Sequence, residues 1–206
     1  MPPRVFLLSP ASSAGSRCRQ LLDPRADFEL AQRVRGAGAP LGEVMSFCSS
    51  LYFRGKLGYA QRFAAPPPGC PGVLVITSDR GLVAPETVIT RADLRAFARV
   101  PIDVGERRYA EPLRDHASRL GAGLPRGAEV VLLGSIATPK YTDVLLGVFG
   151  RRLRFPPVFV GRGDMSRGGL LLRAARAGVE LDYAPVDGAQ RRGRRATKLA
   201  ELPLAL

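Results

Sequence analysis

The sequence predicts an α/β fold. It should form a single domain with a parallel or mixed central sheet flanked by helices, and a polar pocket at the strand carboxyl ends. Three observations carry this. Short apolar runs bounded by turn residues recur along the chain, as buried strands do. Segments with helical apolar spacing alternate with them. The 206 residues, 46% apolar and 24% charged, suit one well-packed globular domain.

The elements follow in order. Val5–Ser9 reads as the first strand. Phe28, Leu30, Ala31 and Val34 give 26–35 a helical stripe. Pro66-Pro67-Pro68-Gly69-Cys70-Pro71-Gly72 is a loop by composition. Val73–Thr77 is the second strand. In Arg91–Arg99, Leu94, Phe97 and Ala98 share one helix face, and Pro101 stops the helix. Tyr109, Leu113, Ala117 and Leu120 form an i, i+4 stripe ending near Gly121. Val130–Leu133 is the third strand, and Thr142–Phe149 is a short helix closed by Gly150. Pro157–Val160 and Leu181–Pro185 are weaker strand readings, separated by a helix over Ser166–Ala177 with Gly178 as its C-cap. The domain is expected over 1–188, with a basic, flexible tail over 189–206.

Composition removes several function classes. One His argues against a multi-His metal centre, and three scattered Cys argue against a disulfide framework or zinc knuckle. No metal or cofactor is expected. No apolar run approaches the ~20 residues of a bilayer span, and the apolar start at Val5 is broken at Pro10, too soon for a signal peptide. A cytoplasmic protein without a membrane partner is the expectation; the sequence sets no oligomeric state.

The formal net charge is +13, and among 31 cations only Lys56, Lys140 and Lys198 are lysine. Residues 151–198 carry 12 cations and 4 anions, a net +8. Arginine-rich composition from a GC-rich gene and selection for phosphate binding both produce such a count, so location discriminates better than total. Arg151, Arg152, Arg154, Arg162 and Arg167 flank apolar segments, whereas Arg191, Arg192, Arg194, Arg195 and Lys198 lie in the Gly/Ala-spaced tail. Nucleic acid or a nucleotide is the expected partner.

Chemistry in open α/β sheets collects beyond the strand carboxyl ends. Four exits carry small hydroxyl residues: Ser9 to Ser13; Thr77-Ser78-Asp79-Arg80-Gly81; Gly134 to Tyr141, with Ser135, Thr138, Lys140 and Tyr141; and Gly161 to Gly169. Parallel strands would bring them to one rim, although Ser, Thr and Asp also follow strands simply to cap the next helix. In the fourth exit, Arg162, Gly163, Asp164, Ser166 and Arg167 precede a helix body and form a generic anion site. Asp79 and Asp164 are the candidate acid/base groups, with Lys140 holding charge and Ser9, Ser78 and Ser135 orienting a ligand. His116 reads as a packing residue.

Five segments in order resemble the YaaA-type peroxide-stress proteins, as a distant relative would: Ser9-Pro10-Ala11; Leu51-Tyr52-Phe53-Arg54-Gly55-Lys56-Leu57; Thr77 to Pro85; Gly134 to Tyr141; and Gly161-Arg162-Gly163-Asp164-Met165-Ser166-Arg167. The last box is the most specific. Arg80 stands where the family has Tyr before Gly, and the family's Tyr-Arg-Leu-Glu continuation is absent after Ile89. The resemblance implies a cytosolic DNA-binding protein with a mixed α/β fold and a basic cleft, linked to limiting oxidative damage. Arg54, Lys56, Arg151, Arg152 and Arg154 would then hold a nucleic-acid backbone. The alternative expectation is an enzyme acting on a nucleotide or nucleobase through Asp79 or Asp164.

Overall fold

Every residue of strand β1 (Arg4–Leu8) is buried, because the sheet is covered on both faces. The computed structural model describes residues 2–13, 15–49 and 51–194. After β1 come α1 (Ser16–Leu22), α2 (Glu29–Arg35), a two-residue strand β2 (Ala39–Pro40), α3 (Leu41–Ser49) and α4 (Leu51–Phe63). The chain returns through β3 (Val73–Ile76), β4 (Leu82–Val83) and β5 (Val88–Ile89), then α5 (Arg91–Arg99) and α6 (Arg107–Gly123). The last part is β6 (Glu129–Leu133), α7 (Pro139–Phe149), β7 (Leu153–Phe155), α8 (Asp164–Ala177) and β8 (Ala184–Pro185).

Six strands form one mixed sheet in the order β4-β3-β1-β6-β7-β8, while β2 pairs with β5 apart from it. The inner four are parallel, and β4 and β8 close the edges antiparallel. Period-two alternation divides the core. Phe6, Leu8, Val131 and Leu133 face the layer holding α1 to α5 and α8. Val5, Leu7, Val130 and Leu132 face α6 and α7. The chain leaving β1 therefore enters one layer and the chain leaving β6 enters the other. These two strands are neighbours, so their exits diverge and leave a crevice at the carboxyl edge.

Local signals place several elements well. α5 spans Arg91–Arg99 with a Thr90/Asp93 capping box, and α8 ends on left-handed Gly178. His116 is half-buried with Nδ1 against the Leu82 backbone, beside Gly81, whose positive φ and closeness to the Pro112 carbonyl leave no room for a Cβ.

The strand expected at Pro157–Val160 is instead a 3-10 turn at Pro157–Phe159. Pro156 and Pro157 lack the N–H donors that an inner strand needs. The fourth parallel strand is Leu153–Phe155, which pairs with β6. The strand expected over Leu181–Pro185 shrinks to Ala184–Pro185. The tail expected over 189–206 falls largely outside the described residues, with Arg195 and Lys198 among those not described. Within the described part, Ala189 packs on the core and Arg191 lies 3.8 Å from the Asp143 carboxylate.

Candidate functional site

The first three exits meet. Ser9 to Ser13 after β1, Thr77 and Ser78 after β3, and Ser135, Lys140 and Tyr141 after β6 line one cavity of about 520 Å³. Helices complete it with Met45, Cys48 and Ser49 from α3, Tyr52 from α4, Phe97 and Ala98 from α5, and Asp164 from α8. Val100-Pro101-Ile102 extend the apolar wall beyond α5. The polar floor is held by one hydrogen bond to α5 and two within the exit loops. Ser78 Oγ donates to the Phe97 carbonyl at 2.8 Å, Thr77 Oγ1 donates to the Gly81 carbonyl at 3.0 Å, and Ser135 Oγ accepts from the Ala137 N–H at 3.3 Å.

Behind the floor stands Lys56, only 1% exposed. It is not a backbone-binding cation: α4 buries it on the stripe that carries Tyr52, Phe53, Tyr59 and Ala60. Its Nζ donates to the Ser9 carbonyl and lies 2.8 Å from Ser9 Oγ. The Tyr52 ring lies 4.4 Å away and the Phe53 ring 5.0 Å away, a cation–π setting. Burial lowers the Lys56 pKa to about 7; Asp164 opposes this, and Arg167 and Lys140 reinforce it. Ser9 Oγ also reaches the Leu133 carbonyl at 3.3 Å.

Tyr52 lines the cavity at 5% exposure, while its hydroxyl is itself buried beside Arg167. Burial pushes its pKa up to about 12, against the nearby Arg167 charge. The phenol is therefore neutral near pH 7.

Two glycines fix these groups. A Cβ on Gly55 would lie 2.7 Å from the Gly168 carbonyl oxygen, and one on Gly168 would lie 2.8 Å from the Leu51 carbonyl oxygen. Helices α4 and α8 thus touch backbone to backbone, bringing Tyr52 and Lys56 up to Asp164 and Arg167. At the opposite wall α7 starts at Pro139, and its next two residues, Lys140 and Tyr141, line the cavity. The positive end of that helix therefore faces the cavity.

The fourth exit contributes only Asp164 to the lining. Its side chain is 70% exposed, and its carboxylate is 3.5 Å from Arg167. Arg167 is 9% exposed, and its Nε donates to the Phe159 carbonyl at 3.1 Å. It braces the turn before α8 and is not a surface phosphate contact. Arg162 Nε donates to the Val158 carbonyl and its Nη1 to Ser166 Oγ. Arg162, Gly163, Ser166 and Thr138 lie outside the lining. So does Asp79, whose pKa burial raises against the pull of Arg80, 3.6 Å from its Oδ1.

The backbone-binding set also divides. Arg54 is exposed on α4. Arg151 and Arg152 precede β7 and so lie at the other end of the parallel strands. Arg154 Nη2 donates to the Tyr183 carbonyl, and its Nε is 3.2 Å from Glu129.

Among the described residues, no group of three or more His, Cys, Asp or Glu could hold a metal ion, and no helix is long and apolar enough to cross a membrane. Comparison with protein-family models, curated proteins and solved structures finds no match.

The sequence reading missed Tyr52 as a lining residue and Lys56 as a buried one. The signal was present: Tyr52, Lys56, Tyr59, Ala60 and Phe63 recur at helical spacing, which puts Lys56 in the middle of an apolar stripe.

Proposed function

We propose that the chain binds a nucleotide-sized small molecule bearing an anionic group in the strand-end cavity. The carrying observation is the division of its lining. Phe97, Val100, Pro101 and Ile102 give an apolar wall for a flat ring, and Ser9, Thr77, Ser78 and Ser135 give hydroxyls for a polar middle. Lys140 and the start of α7 give a cationic end. A volume of about 520 Å³ lies in the range of small-molecule sites.

Nucleic-acid binding, as the YaaA-type resemblance implies, is the second reading, favoured by the net charge of +13 and the exposed Arg54 and Arg151. One experiment separates the two. Thermal-shift and calorimetric titrations would use nucleoside mono-, di- and triphosphates, free nucleosides and inorganic phosphate, with duplex and single-stranded DNA in parallel at several salt concentrations. The cavity reading expects a nucleotide to raise Tm and Lys140→Ala to weaken its affinity about tenfold, the scale of one charge-assisted bond. No shift across the small-molecule panel overturns it. Salt-dependent DNA binding alone establishes the second reading.

A further inference from the structure

We propose that Ser9 is a nucleophile for acyl transfer and that Lys56, behind it, is the group that takes its proton. This rests on the cavity reading and names its substrate class: an ester or other activated acyl group carried by the anionic ligand.

The geometry has three parts. First, Ser9 is only 5% exposed yet lines the cavity, so what accessibility it has is toward a ligand. The β6 exit lies against it closely enough that a Cβ on Gly134 would come within 3.2 Å of Ser9 Oγ. Second, Lys56 does not itself line the cavity, and its Nζ is held at 2.8 Å from Ser9 Oγ. Its reach to a ligand is therefore confined to the atoms beside Ser9 Oγ. Third, Lys56 makes no ion pair among the described residues; its neighbours are Ser9 and two aromatic faces. The other charged or titratable groups acting on it are Asp164 and Arg167 from α8 and Lys140 from α7. A buried cation meant only to brace the fold is normally paired with a carboxylate.

The Ser9 hydroxyl proton has two acceptors. With Lys56 charged, it turns to the Leu133 carbonyl at 3.3 Å. With Lys56 neutral, the amine lone pair at 2.8 Å accepts it, which is the arrangement that activates a serine. In the reaction, Ser9 Oγ bonds to the acyl carbon while its proton passes to Lys56 Nζ. The tetrahedral adduct collapses, the bond to the leaving group breaks, and Lys56 returns the proton to that group. Water then attacks the acyl-serine, gives a proton to Lys56, and releases the acid with Ser9 and its proton restored.

The test uses the intact wild-type chain and a fluorophosphonate, which phosphonylates activated serines. Intact mass and peptide mapping should give a single adduct on Ser9. Its rate should rise with pH about an apparent pKa near 7. Ser9→Ala should give no adduct, and Lys56→Met should slow labelling by about 100-fold or more and remove the pH dependence, the scale of a general base. Wild-type protein that stays unlabelled at pH 8, or labelling that survives Ser9→Ala, overturns the proposal. A merely structural Lys56 would leave no such pH profile. Nucleotide titrations on the same sample separate the readings: binding without labelling overturns the nucleophile alone, and labelling without binding overturns the ligand class alone.

Discussion

Two cations are buried against the same central sheet, one at each end of β1, and they are treated oppositely. Arg4, 8% exposed, stands at the start of the strand between two carboxylates. Its Nη1 pairs with Glu180, and its Nη2 lies 2.9 Å from Glu129. Burial works against its charge, but Glu180 and Glu129 more than restore it, and the Arg4 pKa is raised. Lys56, 1% exposed, reaches the other end of the strand and meets a hydroxyl, a carbonyl and two rings. Burial prevails there, and its pKa falls to about 7. A compensated guanidinium is a fixed fastener, whereas an uncompensated amine can exchange a proton near neutrality. The fastened end holds the sheet and the loose end faces the cavity.

The fastened end is the more sensitive of the two to substitution. Arg4→Ala takes the shared cation from Glu180 and leaves Glu129 with Arg154 alone at the amino end of β1, and should cost about 3 kcal/mol of stability, read from urea denaturation. A loss below about 1 kcal/mol would mean that the network is no fastener. Next in size is Gly168→Ala, which forces a methyl into the backbone contact between α4 and α8 and should cost about 2 kcal/mol. It should also move the labelling pH profile, because Tyr52 and Lys56 are carried by the helix it pushes. A normal Tm and an unchanged profile would show that the helix crossing does not set the site.

Lys56 itself tolerates replacement better. Lys56→Met at pH 7 should leave stability within about 1 kcal/mol of wild type, because it exchanges a costly buried amine for an apolar chain of similar length. The sign with pH follows from linkage. The folded pKa of about 7 lies below the ordinary 10.5, so between these values the unfolded chain binds more protons than the native one. Wild-type stability should therefore rise with pH across that window relative to Lys56→Met. A flat difference would mean that Lys56 keeps its charge after all. The smallest effect is Gly147→Ala on the exposed face of α7, where a Cβ meets nothing within 4 Å. It should gain about 0.5–1 kcal/mol from helix propensity alone.

How far the fold and site were legible depends on the range of the interaction concerned. Helix α5, the Gly178 cap and three of the four inner strands, β1, β3 and β6, were legible because apolar period and capping act within a few residues. The fourth parallel strand was misplaced because Leu153–Phe155 alternates apolar and charged residues, whereas Pro157–Val160 looks apolar yet lacks donors. Arg162 and Arg167 looked equivalent on either side of Asp164. One lies four residues from the Val158 carbonyl that it meets, and the other is drawn inward to the Phe159 carbonyl. Charge runs show that cations are present but not which of them packing will bury.

The sequence by itself determined the α/β class, the two-faced strands and the small hydroxyl residues at their exits, since each follows from local pattern. The tertiary structure alone decided which exits share a rim. That depends on β6 lying beside β1, with their chains leaving into opposite layers, a choice of crossover that local sequence does not encode. It also decided that Lys56 would meet Ser9, 47 positions away. That contact exists because α4 turns its buried stripe to the sheet, with α8 closed on it where Gly55 and Gly168 leave room.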